Sequence, residues 1–450
     1  MKRVIDYHLI EWKNESHRKP LLLRGARQVG KTYAVRTLGA TFDHFIEINL
    51  EQDVKARTIL QRDFDTKRIL FQLSTHLNVA IIPGKTLLFF DEIQQCPDAI
   101  TALRYFYEEI PQLHVIAAGS LLEFAIEQVG MPVGRISSLY LYPISFLEFL
   151  LAQNKTHWIK AIITHDATTQ LFEELHTQLL DALHLYCIVG GMPEVVKQLT
   201  SLDPLRAITR IHTEQLDTYR QDFNKYGKKH QIKYLELLLA QVIDQIGTKF
   251  TFTKVGDYKK RELSPALDLL EKAGLIHKVF KTAAQGLPLG AQVDYSDFKI
   301  AFLDIGLAQA ALGLEITSLN HDPSYTFINK GSLIESFIGQ ELLAYSDPIR
   351  KQQLFYWRRN ARGSDAEVDY VIQLNREIVP LEVKAGTSRR IKSSYLFLES
   401  HPLATYSIRL SALNYGIDKA IHNYPLYAVA AIVQNSNPSL RHAFEYLITL

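Results

Sequence analysis

Leu21-Leu22-Leu23-Arg24-Gly25-Ala26-Arg27-Gln28-Val29-Gly30-Lys31-Thr32 joins an apolar run to a segment that fits G-x-x-x-x-G-K-[ST] at every fixed position. Three consecutive leucines read as a buried strand, the glycines as a tight loop, and Lys31-Thr32 as the opening of a helix. The loop residues Gly25, Ala26, Arg27, Gln28, Val29 and Gly30 can curl so that successive backbone N–H groups point at a β-phosphate. Lys31 then reaches the β- and γ-oxygens, and the Thr32 hydroxyl can ligate Mg²⁺. A plain glycine-rich turn is the competing reading. The strand–loop–helix context argues against it.

Working outward, a helix over 3–18 with Val4, Ile5, Leu9 and Trp12 near one face precedes the first strand. A second strand, Phe45 to Leu50, follows the helix that the loop opens, and charged helical stretches cover 53–61 and 66–79. Then Thr86-Leu87-Leu88-Phe89-Phe90 delivers Asp91 and Glu92 at the end of a buried strand. A carboxylate there can hold Mg²⁺ beside the phosphates, which is the role expected of Asp91, and Glu92 is placed to take a proton from an attacking water. Helix 98–109 and strand 114–118 complete a strand–helix alternation. The class expected is α/β, with a parallel sheet and its ligand at the carboxyl edge. No N-K-x-D occurs, so adenine is favoured over guanine and ATP is the nucleotide expected. Ser120, after the fourth strand, is a candidate γ-phosphate sensor, although a Gly-Ser turn reads equally well. Arg135 is a candidate arginine finger, in cis or from a neighbouring subunit of a homo-oligomer, or an ordinary surface arginine.

The chain has 450 residues, enough for about three domains, with 47% hydrophobic and 22% charged residues. That is ordinary globular material. A net charge of +2 declares no polyanion partner for the sequence as a whole, so local charge must carry any such reading. Met1-Lys2-Arg3 leads into charged residues without the apolar run of a signal peptide, and no apolar stretch approaches the roughly 20 residues of a membrane span. Two cysteines, Cys96 and Cys187, form no C-x-x-C, which leaves no disulfide or zinc framework and fits a reducing cytoplasm.

From about residue 140 the pattern turns helical, over 145–152 and over 168–187 with Leu171, Leu175, Leu179 and Leu183, until Gly190-Gly191-Met192-Pro193 breaks it. Residues 206–261 hold twelve Lys/Arg against six Asp/Glu. Their order of helix 231–245, short Thr/Phe strand 248–253, helix 263–273 and strand from Gly274 is that of a winged helix-turn-helix. The expected divisions are an ATPase core over 1–155, a helical lid over 156–205, a winged helix over 206–283, a connector over 284–330 with a short strand near 298–303, and an α/β unit over 331–450. In that last unit Glu367 and Asp369 share a strand face, as do Glu382 and Lys384 on the next strand. Adjacent pairing would gather Asp369, Glu382 and Lys384, and Glu335 on the preceding helix adds a third acid. Carboxylates holding Mg²⁺ beside a lysine suit phosphodiester cleavage, whereas a charged edge strand is the plainer reading of so loose a pattern. Arg358, Arg359, Arg362, Arg389, Arg390 and Lys392 surround this unit and suit a nucleic acid, or simply a solvated surface.

With Leu23 to Thr32, Phe90-Asp91-Glu92-Ile93-Gln94, Gly119-Ser120, Gly134-Arg135, Leu141 to Phe149, Gly190 to Glu194, Glu335, Tyr356-Trp357-Arg358, Glu367 to Tyr370 and Leu381 to Lys384 in hand, the chain resembles a large prokaryotic family. In that family an AAA-type P-loop ATPase domain precedes a C-terminal DUF4143 domain of PD-(D/E)XK nuclease-like fold. The resemblance covers nearly the whole chain. It implies ATP and Mg²⁺ as cofactors, a winged helix between two α/β units, and nuclease-type positions on Glu335, Asp369, Glu382 and Lys384. The family is more often serine-rich where this chain has Ser120-Leu121-Leu122. The function expected is an ATPase coupled to a C-terminal half that binds DNA and cuts it with Mg²⁺. The rival is a non-catalytic, nucleotide-dependent switch that binds a nucleic acid or a protein.

Overall fold

The computed structural model describes residues 1–201, 203–226, 229–313, 331–359, 366–387 and 391–449, without the side chains of 224–226, 229 and 230. Arg362, Arg389, Arg390 and Lys228 lie outside the described residues, as does the later part of the expected connector. The chain divides into two compact units. One comprises residues 1–142 with 347–351 and 443–450, and the other 143–346 with 352–442.

The first unit runs α1 (Val4–Asn14), β1 (Leu21–Arg24), α2 (Lys31–Gly39), β2 (His44–Asn49), α3 (Val54–Arg62), α4 (Thr66–Leu77), β3 (Thr86–Asp91), α5 (Pro97–Glu109), β4 (His114–Ala118), α6 (Leu122–Val129) and β5 (Ser137–Tyr140). The expected alternation is therefore present, although α1 stops at Asn14 rather than continuing to 18. The strands pair in the order β2-β3-β4-β1-β5, and every pairing is parallel. A parallel sheet is covered on both faces, so its central strands read as unbroken apolar runs. Leu21, Leu22, Leu23, Leu87 to Phe90 and Val115 to Ala118 are all essentially inaccessible. Because β1, β3 and β4 are neighbours running the same way, their carboxyl ends bring Gly25, Asp91 and Gly119 to one edge of the sheet. Helix α5 returns antiparallel to them and ends at the opposite edge.

The second unit opens with helices α7 (Phe146–Ala152), α8 (Thr156–Thr164), α9 (Glu173–Val189), α10 (Pro193–Lys197), α11 (Pro204–Tyr226), α12 (Lys229–Asp244) and α13 (Lys260–Lys272). The Thr/Phe strand expected over 248–253 is reduced to a single bridge, Lys249 to Lys299, followed by a 3₁₀ turn over Phe252–Lys254. Phe250 stacks on Phe298, and one buried ring anchors the segment without extending the ladder. Next come β6 (Ile276–Thr282), β7 (Val293–Phe302), α14 (Ile305–Ala311), α15 (Gly331–Ala344), β8 (Leu354–Arg358), β9 (Glu367–Val368), β10 (Tyr370–Leu374), β11 (Glu377–Val383), α16 (Lys392–Ser400), β12 (Ser407–Ser411), β13 (Gly416–Asp418), β14 (Ile421–Pro425) and α17 (Val429–Val433), and then α18 (Pro438–Thr449), whose residues from 443 onward are counted with the first unit.

These strands form two sheets, β10-β11-β12-β14-β13 and β7-β6-β8-β9. Strand β7 is ten residues long, longer than the short strand expected near 298–303, and it pairs antiparallel with β6. Strand β6 also pairs parallel with β8, so one sheet combines strands from before and after residues 314–330. Trp357, Val368, Val371, Ile378 and Phe397 pack in the core beneath it. No helix of the described residues is long and apolar enough to cross a membrane.

Candidate functional site

At the carboxyl edge of the first unit the phosphate loop is held tightly. A Cβ on Gly25 would lie 2.2 Å from the Leu141 carbonyl oxygen, so only glycine admits the neighbouring backbone. Gly30 caps α2 with φ of 100°, a conformation that side chains with a Cβ resist. Arg3, buried at the start of α1, donates to the Val29 carbonyl at 3.2 Å and the Tyr142 carbonyl at 2.9 Å. It clamps the loop from behind. Sequence reading missed this residue, because an arginine near a terminus carries no pattern.

Lys31 donates to the Gly25 and Ala26 carbonyls at 2.9 and 2.8 Å, so its ammonium folds back on its own loop. Burial pushes it down to about 8, against the pull of the Glu92 and Asp91 carboxylates. A desolvated lysine with only carbonyl partners gains most from a polyanion. Thr32 Oγ1 donates to Asp91 Oδ2 at 2.9 Å. Burial raises Asp91 above the usual carboxylate range, and the Thr32 hydrogen bond opposes it. A hydroxyl and a carboxylate one hydrogen bond apart are the ligand types Mg²⁺ takes alongside water and phosphate oxygens, so Thr32 and Asp91 fit the ion.

Glu92 adopts φ of 52°, a left-handed conformation that costs a non-glycine residue about 1 kcal/mol or more and is common where a side chain must be aimed. Its carboxylate accepts from Gln94 Nε2. Ser120 Oγ and Gln94 Oε1 are buried and lack any hydrogen-bond partner. Two orphaned polar atoms at the end of β4 and beside Glu92 are what a site shaped for a further polar group leaves behind.

Arg135 is elsewhere. Its Nε donates to Glu108 Oε1 at 2.8 Å, and Glu108 is in the last turn of α5, at the edge of the sheet away from the loop. A 13-residue helix rises about 20 Å, so Arg135 is paired at the end of α5 rather than at the loop in this structure. Arg24 is instead adjacent to the loop, bonded to the Tyr140 hydroxyl at 2.6 Å and 3.5 Å from Glu123.

The second constellation also assembles, with one change. Tyr370 pairs with Leu381 across β10 and β11, which sets Asp369 opposite Glu382. Asp369 Oδ2 accepts from the Val383 N–H at 2.7 Å, and Lys384 Nζ meets Glu382 Oε1 at 2.5 Å. Lys299, on β7 and 1% exposed, enters this cluster from a stretch that reads in sequence as a connector. Its ammonium is 2.9 Å from Glu335 Oε1 and 3.9 Å from Asp369 Oδ1, and it also pairs with Glu367. Burial works against that charge, yet the carboxylates of Glu335, Asp369 and Glu367 outweigh it and raise the lysine. Burial and the repulsion of neighbouring acids raise Glu335 and Glu382.

Four carboxylates thus face two ammonium groups, and Glu382 Oε2 is buried without a partner. Asp369 and Glu382 fit a divalent ion that keeps most of its waters. Glu335 is paired with Lys299 at 2.9 Å. Among the described residues no three His, Cys, Asp or Glu side chains are arranged to hold a metal.

Residues 17–150 match an AAA domain model, 180–318 a domain of unknown function, DUF8612, and 330–429 a second one, DUF4143. No curated protein matches the sequence. Solved structures similar to the chain include the Walker-type ATPase PABY2304 of Pyrococcus abyssi, at 14% identity over 69% of this chain and 95% of that one, with a TM-score of 0.44. Another is C. elegans PCH-2, at 11% identity over 50% and 61% with a TM-score of 0.23. A third is Drosophila ORC bound to AT-rich DNA and Cdc6, at 10% identity over 69% and 92% with a TM-score of 0.20. By its domains, this chain carries an AAA-type ATPase domain followed by a DUF4143 domain.

Proposed function

We propose that the chain hydrolyses ATP in the first unit and uses the nucleotide state to govern nucleic-acid binding, with Mg²⁺-dependent cleavage, by the second. The observation that carries the ATPase reading is the buried Lys31, folded on its own loop beside the Thr32–Asp91 pair. Bound Mg²⁺, held by Thr32 and Asp91, would supply charge neutralisation at the β- and γ-phosphates. Lys31 leaves the Gly25 and Ala26 carbonyls for phosphate oxygens, Ser120 Oγ donates to the γ-phosphate, and Glu92 takes the proton of the attacking water. Replacing Lys31 with Ala should abolish nucleotide binding, measured with a fluorescent ATP analogue. Unchanged affinity would sink the assignment.

For nucleic acid, the support lies in the order α12, bridged Lys249, 3₁₀ turn, α13 and the β6–β7 hairpin, which is that of a winged helix. Lys254, Lys259, Lys260 and Arg261 are exposed around the start of α13, and the first residues of such a helix are those that meet DNA. For cleavage, the support is the orphaned Glu382 Oε2 opposite Asp369, with Lys384 alongside. Lys299 favours the second reading, a switch that binds without cutting, because it pairs three of the acids internally. Incubating the chain with single- and double-stranded DNA and Mg²⁺ or Mn²⁺, with and without ATP, decides between them. Cutting that is lost in Asp369→Ala supports the first reading, and intact DNA throughout selects the second.

A further inference from the structure

Gln94 lies two residues beyond Glu92, in the 3₁₀ turn Ile93–Gln95 that leads into α5. Its side chain is committed at one end and open at the other. Nε2 donates to Glu92 Oε2. Oε1 is buried and accepts from nothing. The reason for its position is visible on β4, where a Cβ added to Gly119 would lie 2.1 Å from Gln94 Oε1. The amide tip therefore rests in the space that the absent side chain leaves, next to Ser120, whose buried Oγ also has no partner. A buried amide oxygen left without a donor is destabilising, and a donor arriving with the substrate would relieve that.

We propose that Gln94 is a positioning residue for hydrolysis: its Nε2 aims the Glu92 carboxylate, and its Oε1 accepts one hydrogen of the attacking water. This rests on the ATPase reading. The water is then held by two acceptors, with one O–H toward Glu92 and the other toward Gln94 Oε1, and its lone pair faces the γ-phosphorus. Attack forms the new phosphorus–oxygen bond while the bond from phosphorus to the β–γ bridging oxygen breaks, its electron pair leaving on ADP. The water proton passes to Glu92 and then to solvent. Neither end of Gln94 is needed to bind ATP, so its loss acts on turnover alone.

The test is steady-state hydrolysis by the full chain, with and without DNA, alongside equilibrium binding of a fluorescent ATP analogue and thermal melting. Gln94→Ala should lower kcat roughly 10- to 100-fold, less than the roughly 10²- to 10⁴-fold that a proton-transfer group itself contributes because Gln94 only positions one, and leave KM, nucleotide affinity and melting temperature within about twofold or about 2 °C of wild type. Gly119→Ala provides a second route. Its methyl group would displace the flexible tip of Gln94 and press on Leu122 Cδ2 at 3.3 Å, and it should reproduce the kcat loss in a chain whose sequence keeps the glutamine. An unchanged kcat in Gln94→Ala or Gly119→Ala overturns the proposal, as does a parallel loss of affinity and turnover in both, which would mark Gln94 as packing. If Gln94→Ala does not fold, Gly119→Ala decides alone. A wild-type chain that binds the analogue and never turns over, with or without DNA, overturns the ATPase reading and this one together; normal wild-type turnover with indifferent variants overturns this one only.

Discussion

Replacing Lys299 with Met removes the ammonium that Glu335, Glu367 and Asp369 share and leaves a side chain of similar length in its place. The buried Glu335 and the partly buried Asp369 then keep only the weaker field of Lys384, and the partly exposed Glu367 loses its pairing with Lys299. Removing one partner of a buried ion pair costs about 3–5 kcal/mol, and Lys299 is 1% exposed, so no solvent screening reduces that figure. At about 2–4 °C per kcal/mol for large domains, the second unit should melt roughly 6–20 °C lower, as followed by differential scanning calorimetry without nucleotide or metal. Two companions make the cause specific. The variant's deficit should shrink as pH falls: acids raised by burial bind protons more tightly when folded, so their contribution is present at low pH and lost as pH rises. Combining Lys299→Met with Glu335→Gln should recover part of the loss, a coupling of about 1–3 kcal/mol. A Lys299→Met chain that melts with wild type at every pH, or a double variant no better than the single, would refute the view that this lysine is the cluster's counter-ion.

Gly25→Ala should prevent the first unit from melting cooperatively while sparing the second, because the new methyl meets the Leu141 carbonyl at 2.2 Å and backbone cannot swing aside; calorimetry reads both transitions. Asp91→Asn should keep nucleotide affinity in EDTA and lose the Mg²⁺-dependent increase, since the Asp91 carboxylate opposite Thr32 is the charged ligand. Glu341, which accepts from the Phe146 N–H at 3.0 Å, is pushed up to about 8 by burial. The folded state thus binds its proton more tightly, and the stabilisation present below its ordinary value of 4.5 declines as pH rises through about 8. Glu341→Gln should flatten that slope in melts taken at successive pH values. Replacing Lys259, Lys260 and Arg261 together with Ala should weaken DNA binding across sequences and reduce the slope of log affinity against log salt by about one for each phosphate no longer neutralised.

The central strands of the first unit were legible because parallel strands covered on both faces are apolar throughout, as 86–90 and 114–118 are; the edge strand β5, Ser137-Ser138-Leu139-Tyr140, carries no such run and was not legible. Asp369, Glu382 and Lys384 could be brought together on paper because a strand repeats every two residues. Lys299 could not. It sits in a stretch that reads as a connector, and its partners follow 36 to 70 residues later, at Glu335, Glu367 and Asp369. Pairing over that distance is set by sheet order, which no local period encodes. Gln94 escaped for a different reason: an amide turned toward a carboxylate across a 3₁₀ turn leaves no repeat. The pairing of Arg135 with Glu108 was not legible either, because Gly134-Arg135 fixes a residue type without fixing which edge of the sheet it serves.

The route of β7 also has a consequence for synthesis. Strands β8 and β9, which complete the sheet β7-β6-β8-β9, and the acids that receive Lys299 are all translated after it. At roughly 5–20 residues per second, the 70 residues from Lys299 to Asp369 take about 4–14 s. Through that interval the lysine must remain in water and β6 must keep one edge unpaired, a surface open to wrong partners. Completion of the β7-β6-β8-β9 sheet is therefore timed by the emergence of residues 367–369, and a pause in translation before that point would leave its open edge exposed to misassembly.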